Sequence, residues 1–400
     1  MNERYRLVRP LTSGGMAELF LGIARGAEGF EKPVAIKRVL PYLAKEEGIV
    51  RMFLDEARLA THLQHQNLVS VYDVGTDSSG LFLVMELVNG WDLNVLIRHA
   101  KRRGMRFPPH LVAFIGAQAL AGMVHAYRRT HNGRPVLTAH RDISSANILV
   151  SREGEVKLTD FGIAKLEGAA RNTAPGVFKG KPAYAAPEVI TGAPATAASD
   201  QFSLGIVLYE MLTGEHPFSS SSEPIVVAMA ITSGAPPLLT GVPPPLARVV
   251  TRALEKKPDA RFPRPEDMAE ALALYLASSG EPASSHTLAS FLASLEPPRT
   301  LLEQAQAKAD PAPLPSAAAA PAAAQEKPPA PAAKPVEPSS EWDRIPGGPE
   351  LSMSGRLIPA VPTDGLSKTQ TDTRQPAPLA PQPPPQTSFR CARCEAPLPS

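Results

Sequence analysis

The sequence predicts an α+β protein in two lobes, with strands first and helices after. Three observations carry this. Up to about residue 90, apolar residues alternate in short runs broken by turn signals, with one segment at helical spacing. After Asn89-Gly90 the apolar spacing turns helical and stays so. Beyond about residue 308 the branched and aromatic side chains that offset chain entropy by burial give way to proline and alanine, so the folded unit ends near there.

The elements follow in order. "RYRLVRPL" and "AELFLGIA" are strands separated by "TSGGM", a turn signal. "KPVAIKRVL" is a β-branched strand started by Pro33. "GIVRMFLDEARLATHLQH" is a helix, with Val50, Phe53, Leu54, Ala57, Ala60 and Leu63 at helical spacing. "LVSVYDVG" and "LFLVMELV" complete the strands. "PPHLVAFIGAQALAGMVHAYRRT" opens on prolines, which suit a first helical turn, and stays periodic for about 20 residues. "SDQFSLGIVLYEMLTG", stopped by Gly214, then "PPLARVVTRALEK" and "RPEDMAEALALYLAS" are further helices. There is no internal repeat.

Composition narrows the function. With 41 basic and 39 acidic residues the net charge is +2, which gives no electrostatic case for nucleic acid as a partner. The basic patch "RHAKRRGMR" (98–106) reads as a solvated helix end. No apolar run approaches the ~18 residues of a membrane span, and "MNERYRLVRP" has no signal-peptide core. The two cysteines, Cys391 and Cys394, both lie in the last ten residues, so the folded part is expected to hold no disulfide. A cytoplasmic protein is expected.

The chemistry-bearing motifs are weak one at a time. Lys37 in "VAIKRVL" alone reads as a solvated strand lysine, and Glu56 in "FLDEARLA" as a helix-surface acid. Their order is what matters. "GGMAELF", "VAIK", a helix carrying Glu56, "HRD" with Asn147 five residues beyond Asp142, "DFG" at Asp160-Phe161-Gly162 and "APE" ending at Glu188 follow one another along the chain.

In this set the chain resembles the eukaryotic-like (Hanks-type) serine/threonine protein kinases of bacteria, over residues from about 4 to 277. Two later landmarks agree: "SDQFSLGIVLYEMLTGEHPF", with Asp200 as a buried anchor, and "ALEKKPDARF", whose Arg261 is expected to pair with Glu188. The resemblance implies a bilobal protein kinase fold. Its N-lobe (about 4–88) is an antiparallel sheet with one helix, and its C-lobe (about 89–277) is mainly helical. It implies ATP-dependent phosphorylation of serine or threonine hydroxyls on protein substrates, with Mg²⁺. Lys37 then holds phosphates, Glu56 orients Lys37, Asn147 and Asp160 bind metal, and Asp142 accepts the substrate hydroxyl's proton. "VMELVNGWDL" resembles the hinge: Met85 is the gatekeeper, the Glu86 and Val88 backbones meet the base, and Asp92 reaches the ribose. Leu11, Leu19, Ala35 and Leu149 form apolar walls, a role that coincides with ordinary core packing. Arg141 is expected to receive a phosphate on Thr173, the one threonine between "DFG" and "APE"; the alternative is a polar residue near a turn at Pro175.

The sequence departs from the family pattern at two places. Thr12, Gly14 and Ala17 stand at the three positions of the glycine loop, so only the central glycine remains, with Gly15 beside it. Weakened nucleotide binding is the expectation. In the catalytic loop Ser144 stands where lysine is usual, and Lys181 stands where threonine is usual in "GTPxY". Either Lys181 replaces the missing loop lysine at Asp142, or Ser144 is drift and Lys181 points to solvent. With both usual markers of acceptor type altered, serine/threonine preference rests on the resemblance of the whole domain. A pseudokinase acting as a scaffold is the alternative reading; the intact set of Lys37, Glu56, Asp142, Asn147 and Asp160 favours catalysis.

Residues 278–307 form a short helical or linker extension, and 308–388 a Pro/Ala-rich disordered tail of polyproline character, open to a binding partner. The terminus 389–400 carries one C-x-x-C. That supplies two of the four ligands a structural zinc needs, so zinc at Cys391 and Cys394 is not expected from this chain alone.

Overall fold

A computed structural model describes residues 4–307, apart from 16, 41, 44, 78–79, 132, 162–181 and 219–222. Among the helix and strand residues, the side chains at 52, 56, 131, 134, 182 and 305–307 also lie outside the description.

The N-terminal lobe is a five-stranded sheet in the order β1-β2-β3-β5-β4, built from β1 (Tyr5–Ser13), β2 (Ala17–Arg25), β3 (Glu31–Val39), β4 (Val71–Asp77) and β5 (Gly80–Glu86). All its pairings are antiparallel. Successive side chains of a strand point to opposite faces, and β3 shows the consequence. Val34 and Ile36 pack with Tyr5, Phe82 and Val84 on one face. Ala35 and Val39 pack with Phe53, Ala57, Leu83 and Met85 on the other. Lys37 alternates with Ala35 and Val39 and therefore shares their face, the one covered by α1 (Glu47–Thr61). Tyr5 closes the opposite face and donates to Asp73 Oδ2 at 2.8 Å.

Past the hinge, β6 (Gly90–Asp92) pairs with β9 (Ile148–Ser151), which pairs with β10 (Val156–Leu158) in a small second sheet. Two-residue strands β7 (Thr130–His131) and β8 (Arg134–Pro135) pair with each other. The helices of the C-terminal lobe are α2 (Leu93–Arg102), α3 (Pro109–Arg128), α4 (Pro187–Ile190), α5 (Ala197–Thr213), α6 (Pro224–Ser233), α7 (Pro244–Ala253) and α8 (Pro265–Ser279). Proline opens α3, α4, α6, α7 and α8, where its missing N–H costs nothing. Thr196 and Ser199 cap α5 reciprocally, and it ends at Gly214 in the left-handed region (φ 76°). Every residue of α5 from Ser199 to Leu212 is buried, which is why the stretch lacks a polar face.

One expectation is corrected. Among the described residues α3 is long and apolar enough to cross a membrane by length and composition. Its apolarity has a different cause: it packs against α5, α8 and β10, with ten of its residues buried. A Cβ at Gly116 would lie 2.9 Å from a Leu208 methyl of α5 and 3.0 Å from a Leu272 methyl of α8, so α3 packs closely on both helices there.

The chain continues past α8 into α9 (Ser285–Leu295) and α10 (Leu301–Ala307). Leu288, Leu292 and Leu295 are buried in the same core as α3 and α5. Phe291 packs on Phe107 at 5.1 Å between ring centroids. The segment then follows the hinge: Trp91 Nε1 donates to the Pro298 carbonyl at 2.6 Å, and Thr300 Oγ1 to Asn89 Oδ1 at 3.0 Å. Glu303 pairs with Arg152, and α10 touches β1.

Leu292→Ala tests whether this segment belongs to the cooperative unit. Opening a cavity at a buried leucine costs about 2–5 kcal/mol, which predicts a fall in Tm of at least roughly 5 °C by calorimetry.

Candidate active site

The loop His140–Asn147 is organised from within and from below. A 3₁₀ turn covers Ser145–Asn147, and the Asn147 N–H donates to the Ser144 carbonyl at 3.1 Å. Asn147 Nδ2 donates to the Asp142 carbonyl at 2.8 Å and to Asp142 Oδ2 at 3.0 Å. This orients the Asp142 carboxylate. With its amide nitrogen committed, Asn147 has Oδ1 to offer a cation.

Lys37 reaches across from β3. Its Nζ lies 2.7 Å from Asp160 Oδ1, joining the lobes at residues 123 positions apart. Burial works to raise the Asp160 carboxyl, but the charge and hydrogen bond of Lys37, with His140 behind it, outweigh burial and hold it below the usual carboxylate range. Asp160 sits at φ 56°, in the left-handed region. The Thr159 N–H donates to the Asn147 carbonyl at 3.0 Å, so the segments bearing Asp160 and Asp142 are neighbours. The Phe161 ring is buried against His140, 4.6 Å between centroids.

Beneath the loop, Asp200 of α5 is buried at 2% exposure and accepts three hydrogen bonds. They come from the His140 N–H (2.6 Å), the Arg141 N–H (2.9 Å) and the Tyr127 hydroxyl (2.7 Å). Burial pushes the Asp200 carboxyl up to about 6 against these bonds. Arg141 takes φ 70° to present its N–H; burial lowers its guanidinium and the Asp200 charge opposes that. On the far side Arg261, with no side-chain exposure, grips Glu188 with two bonds of 2.7 and 2.8 Å. Its other three donors go to the carbonyls of Glu255, Ala198 and Lys256, so every guanidinium N–H is satisfied.

The sequence profile of the family described as "Protein kinase domain" matches residues 5–272. This chain belongs to the protein kinase family. It is 38% identical over 293 residues to the tyrosine-protein kinase MasK of Myxococcus xanthus (strain DK1622), covering 72% of this chain and 45% of that protein. It is 32% identical over 265 residues to the serine/threonine-protein kinase PknL of Mycobacterium tuberculosis, covering 66% and 63%. It is 30% identical over 292 residues to PknA of that species, also a serine/threonine-protein kinase, covering 72% and 64%. The chain thus spans about half to two thirds of the length of these relatives. The crystal structure of the M. tuberculosis PknI kinase domain superposes with a TM-score of 0.50 at 26% identity, covering 68% of this chain and 96% of that one. The kinase fold, an antiparallel-sheet N-lobe on a helical C-lobe, is therefore common to both.

The kinase's remaining site residues fall out as follows. Leu19, Ala35, Met85, Val88 and Leu149 share one apolar cluster between the lobes, with Ala35 opposite Met85 across the β3–β5 pairing. Leu11 lies half-buried on β1, outside that cluster. The Glu86 N–H donates to the Ser70 carbonyl at 2.8 Å, so a contact to a base from this residue falls to its carbonyl. The Glu86 side chain is held by Lys157 at 2.9 Å. Asp92 caps α2, accepting the Val95 N–H at 2.8 Å, a task the sequence alone did not signal. In the glycine loop the Gly14 N–H donates to the Ala17 carbonyl at 2.9 Å, and Thr12 pairs with Leu19. Glu56 lies on α1, its side chain outside the described residues; Lys181 and Thr173 lie outside them altogether.

Sequence reasoning passed over one loop residue. Ser145 is 2% exposed, and its Oγ lies 2.6 Å from the Tyr184 hydroxyl. Its spacing from Asp142 carried no signal, because its partner is 39 residues away.

Asp200→Asn leaves one acceptor oxygen for three buried donors. Each unpaired donor costs about 1–3 kcal/mol, so turnover should fall at least tenfold and Tm should drop. Turnover and melting of the variant measured together check this.

Proposed function

We propose that this chain is an active protein kinase that transfers the γ-phosphoryl group of ATP to serine or threonine hydroxyls of proteins, with Mg²⁺. The observation that carries the reading is the assembled set: Lys37 on Asp160 at 2.7 Å, beside an Asp142 carboxylate oriented by Asn147. Phosphoryl transfer asks the protein for positioning and charge. Lys37 supplies a point charge for phosphate oxygens, oriented by Glu56. Asp142 accepts the hydrogen bond of the acceptor hydroxyl and takes its proton. The donor set fits a hard divalent cation: one carboxylate, Asp160, and one amide oxygen, Asn147, on adjoining segments. The metal when bound neutralises charge on the phosphates. The apolar cluster of Leu19, Ala35, Met85, Val88 and Leu149 receives the base, with the carbonyl of Glu86 and the backbone of Val88 as its polar partners and Leu11 at its edge. Gly14 and Gly15 cover the phosphates, and Asp92 lies toward the ribose. Lys181 stands in for the lysine that Ser144 replaces.

Two relatives named as serine/threonine kinases support that acceptor class. A second reading has its own support: MasK, at 38% identity, is named a tyrosine-protein kinase, and Ser144 and Lys181 remove both usual serine/threonine markers. Phosphoamino acid analysis of myelin basic protein labelled by the purified chain separates them. Phosphoserine or phosphothreonine is expected; phosphotyrosine alone reverses the assignment. An Asp142→Asn variant with no less incorporation than wild type would sink the kinase reading and favour a pseudokinase scaffold. The kinase domain is assigned to the cytoplasm, where ATP is, and the Pro-rich tail to a protein partner.

Lys37→Met should lower kcat/KM by at least 10²-fold with Tm kept within a few degrees. Asp160→Ala and Asn147→Ala should each shift the Mg²⁺ titration of activity to higher concentration. Superimposable titrations would remove these two from the metal site. Arg141 is the assigned receptor for phosphate on Thr173. Mass spectrometry after incubation with ATP should find that phosphate, and Thr173→Ala should lower turnover.

A further inference from the structure

Asp160–Phe161 and Pro182–Tyr184, the described residues on either side of 162–181, are each held by side-chain contacts. Asp160 is held by Lys37, and Phe161 by His140. A 3₁₀ turn covers Pro182–Tyr184, and four side chains grip it. Ser203 Oγ of α5 donates to the Tyr184 carbonyl at 2.6 Å. His216 Nε2 lies 2.7 Å from the Ala183 carbonyl, with its ring edge-on to Tyr184. The Tyr184 hydroxyl lies 3.0 and 2.8 Å from the two carboxylate oxygens of Glu210. The fourth grip is Ser145, 2.6 Å from the same hydroxyl. Three of these come from α5 and the turn after it. Ser145 alone comes from the catalytic loop, three residues beyond Asp142.

The proton arrangement follows from the partners. A phenol has one proton, and a carboxylate only accepts. With Glu210 ionised, Tyr184 donates to Glu210, and Ser145 must donate to the Tyr184 oxygen. Burial lifts the Glu210 carboxyl, which the bonds to Tyr184 and Ser145 oppose. Ser145 and Glu210 are both buried, so each loses its partner at a cost if Tyr184 is removed. Alanine at 145, by contrast, leaves the Tyr184–Glu210 bond in place and removes what Ser145 gives to that pair, the link to the catalytic loop.

We propose that Ser145 is a positioning residue for the protein acceptor: its bond to Tyr184 fixes the Pro182–Tyr184 turn relative to the Asp142 carboxylate. This rests on the kinase reading above. The nucleotide is placed by groups that Ser145 does not touch, namely Lys37, Asp160 and the hinge cluster. An acceptor polypeptide bringing a hydroxyl to Asp142 must lie beside the chain that flanks Asp142, and Ser145 sets where that chain stands.

The test is steady-state kinetics with ATP and myelin basic protein varied in turn, for wild type, Ser145→Ala, Ser145→Thr, Tyr184→Phe and the double variant Ser145→Ala/Tyr184→Phe. Amide hydrogen exchange over residues 183–186 is followed in parallel. Ser145→Ala should raise the acceptor KM about three- to tenfold and leave the ATP KM within twofold. Ser145→Thr, which keeps the hydroxyl, should restore the acceptor KM. The double variant should be no worse than Tyr184→Phe, because both changes break one link. Exchange at 183–186 should quicken in Ser145→Ala. Equal rises in both KM values, or additive losses in the double variant, would reduce Ser145 to a general structural role and overturn the proposal. An unchanged acceptor KM in an active Ser145→Ala enzyme overturns it too. If wild type transfers no phosphate while exchange in Ser145→Ala still quickens, the kinase reading falls and the Ser145–Tyr184 link stands.

Discussion

A buried carboxylate on a helix is what the catalytic loop rests on. Asp200 offers its acceptor lone pairs to two consecutive backbone N–H groups, at His140 and Arg141, and to the Tyr127 hydroxyl. In extended backbone consecutive amides point to opposite sides, so converging both on one carboxylate asks for a departure from it, and Arg141 makes one at φ 70°. That conformation is strained for a residue with a side chain and persists where the surroundings over-determine it. The bonds to Asp200 provide this. They cost the burial of a charge, visible in the upward push on the Asp200 carboxyl. The rigid support is α5, buried from Ser199 to Leu212.

From that anchor the rest of the site is assembled through the loop. His140 leaves its backbone on Asp200 and its ring on Phe161, so the residue after Asp160 is placed by the same support. Asn147 turns back to hold Asp142, and its carbonyl receives the Thr159 N–H just before Asp160. Lys37 then has a fixed carboxylate to meet, and this ion pair joins the N-terminal lobe to the C-terminal one, as the Lys157–Glu86 pair does behind the hinge. Ser145 extends the pattern to Tyr184. The loop thus meets α5, the Thr159–Phe161 segment and Tyr184.

What the sequence revealed and what it hid divide along one line. Residues whose role lies in a fixed local spacing were legible: Asp142 with Asn147 five residues on, Asp160 before Phe161 and Gly162, and Lys37 in a β-branched strand. Glu188 and Arg261, 73 residues apart, were legible through the family pattern, and the structure joins them with two bonds. Ser145 was not, because no local spacing joins it to Tyr184 and Glu210. Asp92, which the family pattern places at a ribose, also caps α2, because a carboxylate one residue before a helix can accept its first N–H groups. The apolar stretch in α3 has the composition of a membrane span and the surroundings of a core helix; only its packing against α5 and α8 separates the two. Helix α2 was visible only as a basic end, because Leu93, Leu96, Ile97 and Ala100 make a short stripe that is read as a helix only with its cap known.

The same reasoning explains why ordered structure continues past the family match at residue 272. Helix α9 brings Leu288, Leu292 and Leu295 into the main core at helical spacing, so the core is not closed until they are in place. The described residues beyond them are held by polar contacts. Arg103 donates to the Leu295 carbonyl at 3.1 Å and to Glu296 at 2.5 Å, satisfying the helix end. Trp91 takes the Pro298 carbonyl, and buried Thr300 gives its hydroxyl to Asn89 while capping α10 through Glu303. Asn89 and Trp91 flank Gly90 immediately after the hinge, so the residues that follow Val88 are fixed by chain from outside the family's boundary. The residues directly after Val88 and the segment that follows α9 are therefore in direct contact, and the position of one constrains the other.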